Sequence, residues 1–169
     1  MTQTRGFSLI ETLLVLAITG MLMSGLMASV SRARAEGREA IRRADLKKME
    51  TMLELYRADN YKFPITSTSA VLWYSSEPSD GASNNNGDWI PGFAPKYLKT
   101  LPRDPLGGPV STCGNWQRAY LYRSNGSQYK LIAHCNMSSY PTVGEEFYDP
   151  VRPTWAIMVC SGEEACTTW

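Results

Sequence analysis

The chain has 169 residues, of which 43% are hydrophobic and 20% charged, so it is long enough for one globular domain and too apolar for intrinsic disorder. Lysine and arginine total 17 against 16 acidic residues, a net charge of +1. This balance lacks the basic excess that neutralises a phosphate backbone, so nucleic acid is not expected as the main partner. With a single histidine and no nucleophile or phosphate-binding motif, we predict no catalytic residue and no cofactor.

The N-terminal region combines a short polar segment with a long apolar one. Residues 1–6 are polar with one cation, Arg5, and Phe7 follows directly. No charged residue occurs in residues 12–31. A helix of this length extends about 30 Å, the thickness of the hydrocarbon core of a bilayer, so the segment is predicted to span a membrane.

One acidic residue, Glu11, lies at the start of this apolar run. A carboxylate close to hydrocarbon costs on the order of 2–3 kcal/mol, so such a residue is expected to have a functional partner. The alternative is a hydrated carboxylate at the level of the lipid headgroups.

The sequence Gly-Phe-Ser-Leu-Ile-Glu at residues 6–11, followed by a long apolar helix, resembles the N-terminal signal of type IV pilins and type II secretion pseudopilins. The resemblance implies that a prepilin peptidase cleaves between Gly6 and Phe7 and methylates the new amine of Phe7. It also implies that Glu11 acts in assembly, where its carboxylate pairs with the Phe7 ammonium of a neighbouring subunit. Such a pair can fix the register, because any other offset leaves two charges unpaired in lipid.

The fold expected from this resemblance is α+β, with a long N-terminal helix, half of it transmembrane, packed on a small antiparallel sheet as in the pilin lollipop. The expected organisation is a prepilin leader (1–6), a transmembrane and assembly helix (7–31), an amphipathic continuation of the helix (32–60) and a periplasmic globular head (61–169). The expected partners are the prepilin peptidase, other pilin or pseudopilin subunits, an inner-membrane assembly platform and membrane lipid.

Beyond the apolar run, hydrophobic residues recur at helical spacing. They are Leu46, Met49, Leu53 and Tyr56. This spacing predicts an amphipathic helix that lies on a globular surface, with basic residues, Arg42 among them, at the remaining positions. No proline occurs between Phe7 and Phe63, and Pro64 is predicted to end the helix region.

Two proline-containing sequences, at residues 59–64 and 101–105, are similar to those of G-type major pseudopilins. The second reads Leu-Pro-Arg-Asp-Pro and includes Asp104. Prolines and aspartates of this kind form turns, and we interpret both sequences as structural.

Several arginines follow the apolar run and complicate the topology. They are Arg32, Arg34, Arg38, Arg42 and Arg43. By the positive-inside rule they place the C-terminal part in the cytoplasm. The leader and four cysteines, which suit an oxidising compartment, indicate the reverse. Because a specific processing motif outweighs a statistical bias, we expect a single pass through the bacterial inner membrane with a periplasmic head, and later incorporation into a pilus or pseudopilus.

The clearest strand signal is a pair of alternating segments, 119–123 and 128–133, on either side of Asn125-Gly126. A two-residue turn at Asn125-Gly126 predicts a hairpin. A third strand is expected at 155–159, and residues 75–88 are expected to form a polar loop.

The predicted register pairs Tyr122 with Tyr129 and Tyr120 with Leu131. Because these side chains share one face of the hairpin, we assign that face to the long helix. The opposite face is expected to be polar and to carry His134.

Four cysteines permit three disulfide pairings. Extending the hairpin register places Cys135 opposite Trp116, and therefore close to Cys113. Cys160 and Cys166 enclose a short loop, which is entropically easy to close. We therefore expect the disulfides Cys113–Cys135 and Cys160–Cys166.

Two metal sites are alternatives. The first is a zinc site formed by Cys113, His134, Cys135 and Cys160. Neither a Cys-x-x-Cys sequence nor a spaced pair of histidines supports it. The second follows from the resemblance, because major pseudopilins bind calcium in a late loop and Glu145, Glu146 and Asp149 could supply oxygen atoms. The Asp-rich spacing of the family is absent, so no metal ligand is predicted.

The sequence thus predicts a structural subunit of a bacterial pilus or secretion pseudopilus that polymerises through its N-terminal helix. The alternative from another class is a single-pass, membrane-anchored periplasmic binding module that does not assemble. A secreted enzyme with an ordinary signal peptide fits worst, because the apolar run is too long and no Ala-x-Ala-like site follows it.

Overall fold

The computed structural model describes residues 8–66, 72–77 and 88–169. Two α-helices are described, α1 (Leu9–Asn60) and α2 (Glu163–Thr168). The described strands are β1 (Tyr74–Ser75), β2 (Pro109–Val110), β3 (Trp116–Gln117), β4 (Ala119–Ser124), β5 (Tyr129–His134) and β6 (Ala156–Ser161), with a short 3-10 helix at Ser111–Cys113.

Helix α1 is continuous, as the lack of proline predicts, and contributes to two compact units. The first unit is Met1–Gly37 and the second is Arg38–Trp169. The helix ends at Asn60, where the amide of Tyr61 donates to the carbonyl oxygen of Arg57 at 2.7 Å. Tyr61 then adopts a left-handed backbone conformation with φ of 61°, which turns the chain out of the helix.

The main sheet is antiparallel, in the order β1-β4-β5-β6. On one face of it lie the buried residues of α1, including Leu46, Met49 and Leu53, which are fully buried in a single core cluster with Tyr120 and Tyr122. The expected α+β fold, with a long helix on a small antiparallel sheet, is therefore confirmed.

The predicted hairpin exists, but its register is wrong by two residues. Tyr122 pairs with Leu131 rather than Tyr129, and Tyr120 pairs with Ala133 rather than Leu131. Because the shift is even, the predicted side chains keep the same face toward the helix.

The register differs because the loop has four residues, 125–128, instead of two. The Asn125 side-chain oxygen accepts hydrogen bonds from the amides of Ser127 and Gln128, at 2.9 and 2.8 Å. Ser124 closes the loop by donating its hydroxyl to the carbonyl oxygen of Gln128. Asn125 therefore stabilises an Asx-type turn in place of the two-residue turn.

The third strand also starts later than predicted, at Ala156, and continues to Ser161. It pairs antiparallel with β5. Ser75, predicted to begin a polar loop, is the second residue of β1 and pairs with Leu121. A two-residue strand carries no alternation of polar and apolar residues, and neither β1 nor the small β2–β3 sheet was predicted.

The second face of the sheet is covered as well. Leu121, Ile132 and Ala156 form a second buried cluster there, against the partly buried Trp73 and Met158. Every residue of β5 is consequently buried, and the prediction that one hairpin face is polar is wrong. The sheet is the middle layer of the second unit.

Candidate functional site

The described side chains of the apolar part of α1 are exposed. The large hydrophobic residues described between Leu9 and Val30 are between 46% and 83% exposed. By length and composition α1 could cross a membrane, and no residue in its most apolar 18-residue window is buried. An exposed apolar surface of this size is typical of a segment that lies in lipid or against other chains.

Polar side chains within this segment bond to their own helix. The Thr12 and Ser31 hydroxyls donate to the carbonyl oxygens of Leu9 and Ala28, each at 2.9 Å, and the Thr19 hydroxyl donates to Val15. These bonds satisfy hydroxyl donors that no water could reach in hydrocarbon. The described surface of the helix is thus suited to an apolar medium.

Glu11 lies in the first turn of α1, where its amide donates to the carbonyl oxygen of Ser8 at 3.0 Å. The side chain is exposed, and a carboxylate at this end of a helix is stabilised by the helix dipole. Gly6 and Phe7 lie outside the described residues. The cleavage site and the pairing of Glu11 with Phe7 therefore stay predictions.

Arg42, predicted to lie among the polar positions of the helix, is only 2% exposed. Its guanidinium forms a two-point ion pair with Asp104, with Nε to Oδ2 at 2.7 Å and Nη2 to Oδ1 at 3.0 Å. The Asn136 side-chain amide donates to the same carboxylate at 3.0 Å. The sequence spacing indicates that Arg42 is buried, because Arg42 precedes Leu46 by one helical turn and lies on the same face of the helix.

Asp104, interpreted from the sequence as a turn former, both stabilises a turn and forms the ion pair with Arg42. Burial is the largest single effect and raises the pKa of its carboxyl group, but the hydrogen bonds from Arg42 and from two backbone amides, together with the charge of Arg42, outweigh burial, so the net pKa lies below the ordinary value. The amides of Leu106 and Gly107 add further hydrogen bonds, at 2.9 and 3.1 Å. The turn and the helix are thereby joined at one carboxylate.

A second polar contact joins α1 to the sheet one turn further on. The Tyr120 hydroxyl donates to Asp45 at 2.8 Å. Burial raises the pKa of Asp45, although the hydrogen bond from Tyr120 and the nearby Lys48 partly oppose it. These polar contacts lie beside an apolar core, so they fix the rotation and register of the helix on the sheet.

The structure forms the two disulfides expected from the sequence. Cys113 bonds to Cys135 with a Cα–Cα distance of 5.9 Å, and Cys160 bonds to Cys166 with 5.4 Å. The predicted position of Cys135 opposite Trp116 is wrong, because β4 begins at Ala119 and the amide of Cys135 donates to the carbonyl oxygen of Trp155.

All four cysteines are therefore engaged, and none offers a thiolate to zinc. His134, expected on a polar face, is 1% exposed. Its ring lies edge-on to the indoles of Trp116 and Trp155, with centroid distances of 6.2 and 6.3 Å. It is a packed core residue beside the first disulfide.

The three acids of the late loop do not converge. Glu145 accepts hydrogen bonds from the amide and hydroxyl of Thr142, and Glu146 pairs with Lys47 of α1 at 2.8 Å. Asp149 is buried and bonds to Lys130. Within the described ranges no group of three or more His, Cys, Asp or Glu residues could hold a metal ion.

Comparison with known proteins gives consistent matches. A family model described as the prokaryotic N-terminal methylation motif matches residues 1–27. The type II secretion system core protein G of Escherichia coli K12 is 30% identical over 108 residues, 61% of this chain and 67% of that protein. The same protein of Pseudomonas aeruginosa is 29% identical over 110 residues (63% and 71%), and that of Vibrio cholerae 26% over 132 residues (76% of each). No solved structure matches the chain significantly.

Proposed function

The chain belongs to the type IV pilin and type II secretion pseudopilin family, and on this basis we propose that it is a structural subunit which polymerises through α1 into a pseudopilus. The observation that carries the proposal is the exposed apolar surface of α1, with Glu11 as its one acid before Ser31. This surface supports a structural role in assembly.

The proposed life cycle begins in the membrane. Residues 1–6 are the leader, a prepilin peptidase cleaves between Gly6 and Phe7, and Phe7 is methylated. Residues 7–31 span the inner membrane and later pack in the filament, 32–60 continue the helix, and 61–169 form the periplasmic head. An assembly platform in the inner membrane then moves the subunit from lipid into the growing filament.

Glu11 is the proposed assembly residue. Transfer of α1 from lipid into a bundle of like helices exchanges one apolar environment for another, so the hydrophobic effect contributes little to assembly. A carboxylate that finds the Phe7 ammonium of a neighbour gains a specific interaction in that environment. The basic residues that follow the span, including the exposed Arg32 and Arg34, are then placed outside the hydrocarbon.

Two measurements test this function. Intact-mass analysis of the membrane-extracted protein should show the loss of residues 1–6 and the addition of one methyl group. Fractionation of sheared cells, with the pseudopilus system overproduced, should release the chain in filaments. A chain that keeps residues 1–6, or that stays wholly in the membrane fraction, would favour the alternative of an anchored periplasmic module that does not assemble.

A further inference from the structure

A lysine ammonium is fully buried on the second face of the sheet. The side chain of Lys130 in β5 has no exposed surface, and neither has its partner, Asp149. The Lys130 Nζ atom lies 2.8 Å from Asp149 Oδ1, 2.8 Å from the main-chain oxygen of Trp169 and 3.4 Å from that of Cys166. An ammonium group has three donors, and each of them has an oxygen acceptor here.

The surrounding groups complete this arrangement. Asp149 Oδ1 also accepts hydrogen bonds from the amides of Val151 and Arg152, at 2.9 and 3.3 Å. The Arg152 guanidinium reaches the main-chain oxygen of Trp169 at 2.6 Å and Asp149 Oδ2 at 3.5 Å. The Trp169 oxygen is thereby also held to the loop that carries Asp149.

Lys130 also lies next to the second disulfide. It pairs across the sheet with Cys160, which is bonded to Cys166 within α2. The ammonium accordingly joins three segments, namely β5, the loop at Asp149 and the segment that follows β6. Arg123 stacks over the Trp169 ring at 4.5 Å and covers this end of the layer.

These contacts disagree with a calcium site of the kind that the family resemblance implies. Calcium takes six to eight oxygen ligands, and the candidate carboxylates of Glu145 and Glu146 are bonded to Thr142 and Lys47. Asp149, the remaining candidate, is already neutralised by Lys130. We propose that the Lys130 ammonium is a built-in cation that takes the structural place of a metal ion, so that the head folds without calcium.

The proposal goes beyond the function proposed above, since it concerns the folding of the head and holds whether or not the chain assembles. Burial lowers the pKa of Lys130, and the hydrogen bond that its ammonium donates to Asp149 opposes that effect. The charged form of Lys130 is thus stabilised by its oxygen partners, as a bound metal ion would be stabilised by its ligands.

The first test needs no variant. The full chain in detergent is melted in the presence of calcium or of a strong chelator, with tryptophan fluorescence as the signal, because all five tryptophans lie between Trp73 and Trp169. We expect the two Tm values to agree within about 1 °C, whereas loss of a bound metal at 100 times its Kd would lower Tm by roughly 10 °C. A calcium-dependent Tm overturns the proposal.

The second test removes the ammonium. Lys130→Met keeps most of the side-chain volume and should lower Tm by about 10 °C, whereas Lys47→Met, at an exposed lysine, should change it by about 1 °C or less. In Lys130→Ala, propylammonium should raise Tm, and 1-propanol, of similar length without the charge, should not. A Lys130→Met protein that melts like the wild type would show that the ammonium has no structural role.

Discussion

The two parts of this chain differ in which side chains they expose and which they bury. In the apolar part of α1 every large hydrophobic residue described is exposed, and the one acid, Glu11, faces outward. In the second unit even charged groups are buried with partners, as Arg42 is with Asp104 and Lys130 with Asp149. The surface of the first part therefore suits lipid or neighbouring subunits, whereas the charged groups of the second part find their partners within the same unit.

The largest effect on the head is expected from Arg42→Met. The substitution keeps the buried stem but leaves Asp104 without its cation, which costs about 3–5 kcal/mol of unfolding free energy. Urea denaturation of the full chain in detergent, followed by tryptophan fluorescence, measures the loss. In Arg42→Met with Asp104→Asn the isolated charge is gone, while a side-chain oxygen still accepts from the Leu106 and Gly107 amides, so the double variant should be more stable than the single one. If Arg42→Met alone is neutral, the ion pair does not hold the helix to the turn.

Truncation of equivalent leucines separates the two parts most simply. Leu46→Ala removes a fully buried side chain from the core and should cost about 2–5 kcal/mol of head stability. Leu16→Ala removes the same atoms from a side chain that is 68% exposed and should leave the denaturation midpoint of the head unchanged. Equal effects of the two substitutions on the midpoint would contradict the division between the parts.

The disulfides come next. Their sequence separations are 22 and 6 residues, so removal of Cys113–Cys135 should cost about 3 kcal/mol and removal of Cys160–Cys166 about 2 kcal/mol on the chain-entropy estimate. Paired Cys→Ala variants give these values in the same urea assay. Non-reducing peptide mapping of the wild type should link the same two pairs, and a peptide joining Cys135 to Cys160 would contradict the sheet order.

The smallest effect is the dependence of stability on pH. The pKa of Asp104 lies below its ordinary value of 3.8 in the folded protein, so its contribution is present above pH 3.8 and is lost as the pH falls through the lower, folded-state pKa. Asp104→Asn should therefore flatten the acid limb of the stability curve. Burial raises the pKa of Asp45, so Asp45 contributes to the pH dependence of stability with the opposite sign. Asp45→Asn should therefore steepen the acid limb. The same slope change in both variants would refute these assignments.

The parts of the fold that depend on periodicity were predictable from the sequence. Leu46, Met49 and Leu53 follow the helical repeat, and Tyr120 and Tyr122 alternate along a strand, so their common core could be predicted. An even shift of register leaves such faces unchanged, so the core residues were predicted correctly although the predicted turn length was wrong.

The polar contacts were not predictable, because they join residues far apart in sequence. Arg42 is 62 residues from Asp104, and Lys130 is 19 from Asp149. The spacing of Arg42 from Leu46 indicates a buried position but does not identify its partner, and nothing local distinguishes Asp104, Lys130 or Asp149 from solvated charges. Only the placement of the turn and the late loop brings the partners together. His134 was misplaced for the same reason, since the layer over the second face comes from Trp116 and Trp155 on other segments.

The central claim is that α1 mediates contacts with neighbouring subunits, whereas the head folds through its own internal contacts. The variant Glu11→Gln, measured in two ways, tests this claim most directly. The substitution removes the charge at nearly constant volume, so the head should melt as in the wild type and the membrane level should be unchanged. The amount of subunit in sheared filaments should fall sharply, because the neighbour's Phe7 ammonium loses its partner, at a cost of about 3–5 kcal/mol. Glu36→Gln, at an exposed acid beyond the span, is the matched control and should assemble normally. Wild-type assembly of Glu11→Gln would show that Glu11 is only a hydrated acid at the membrane surface, and would contradict the claim.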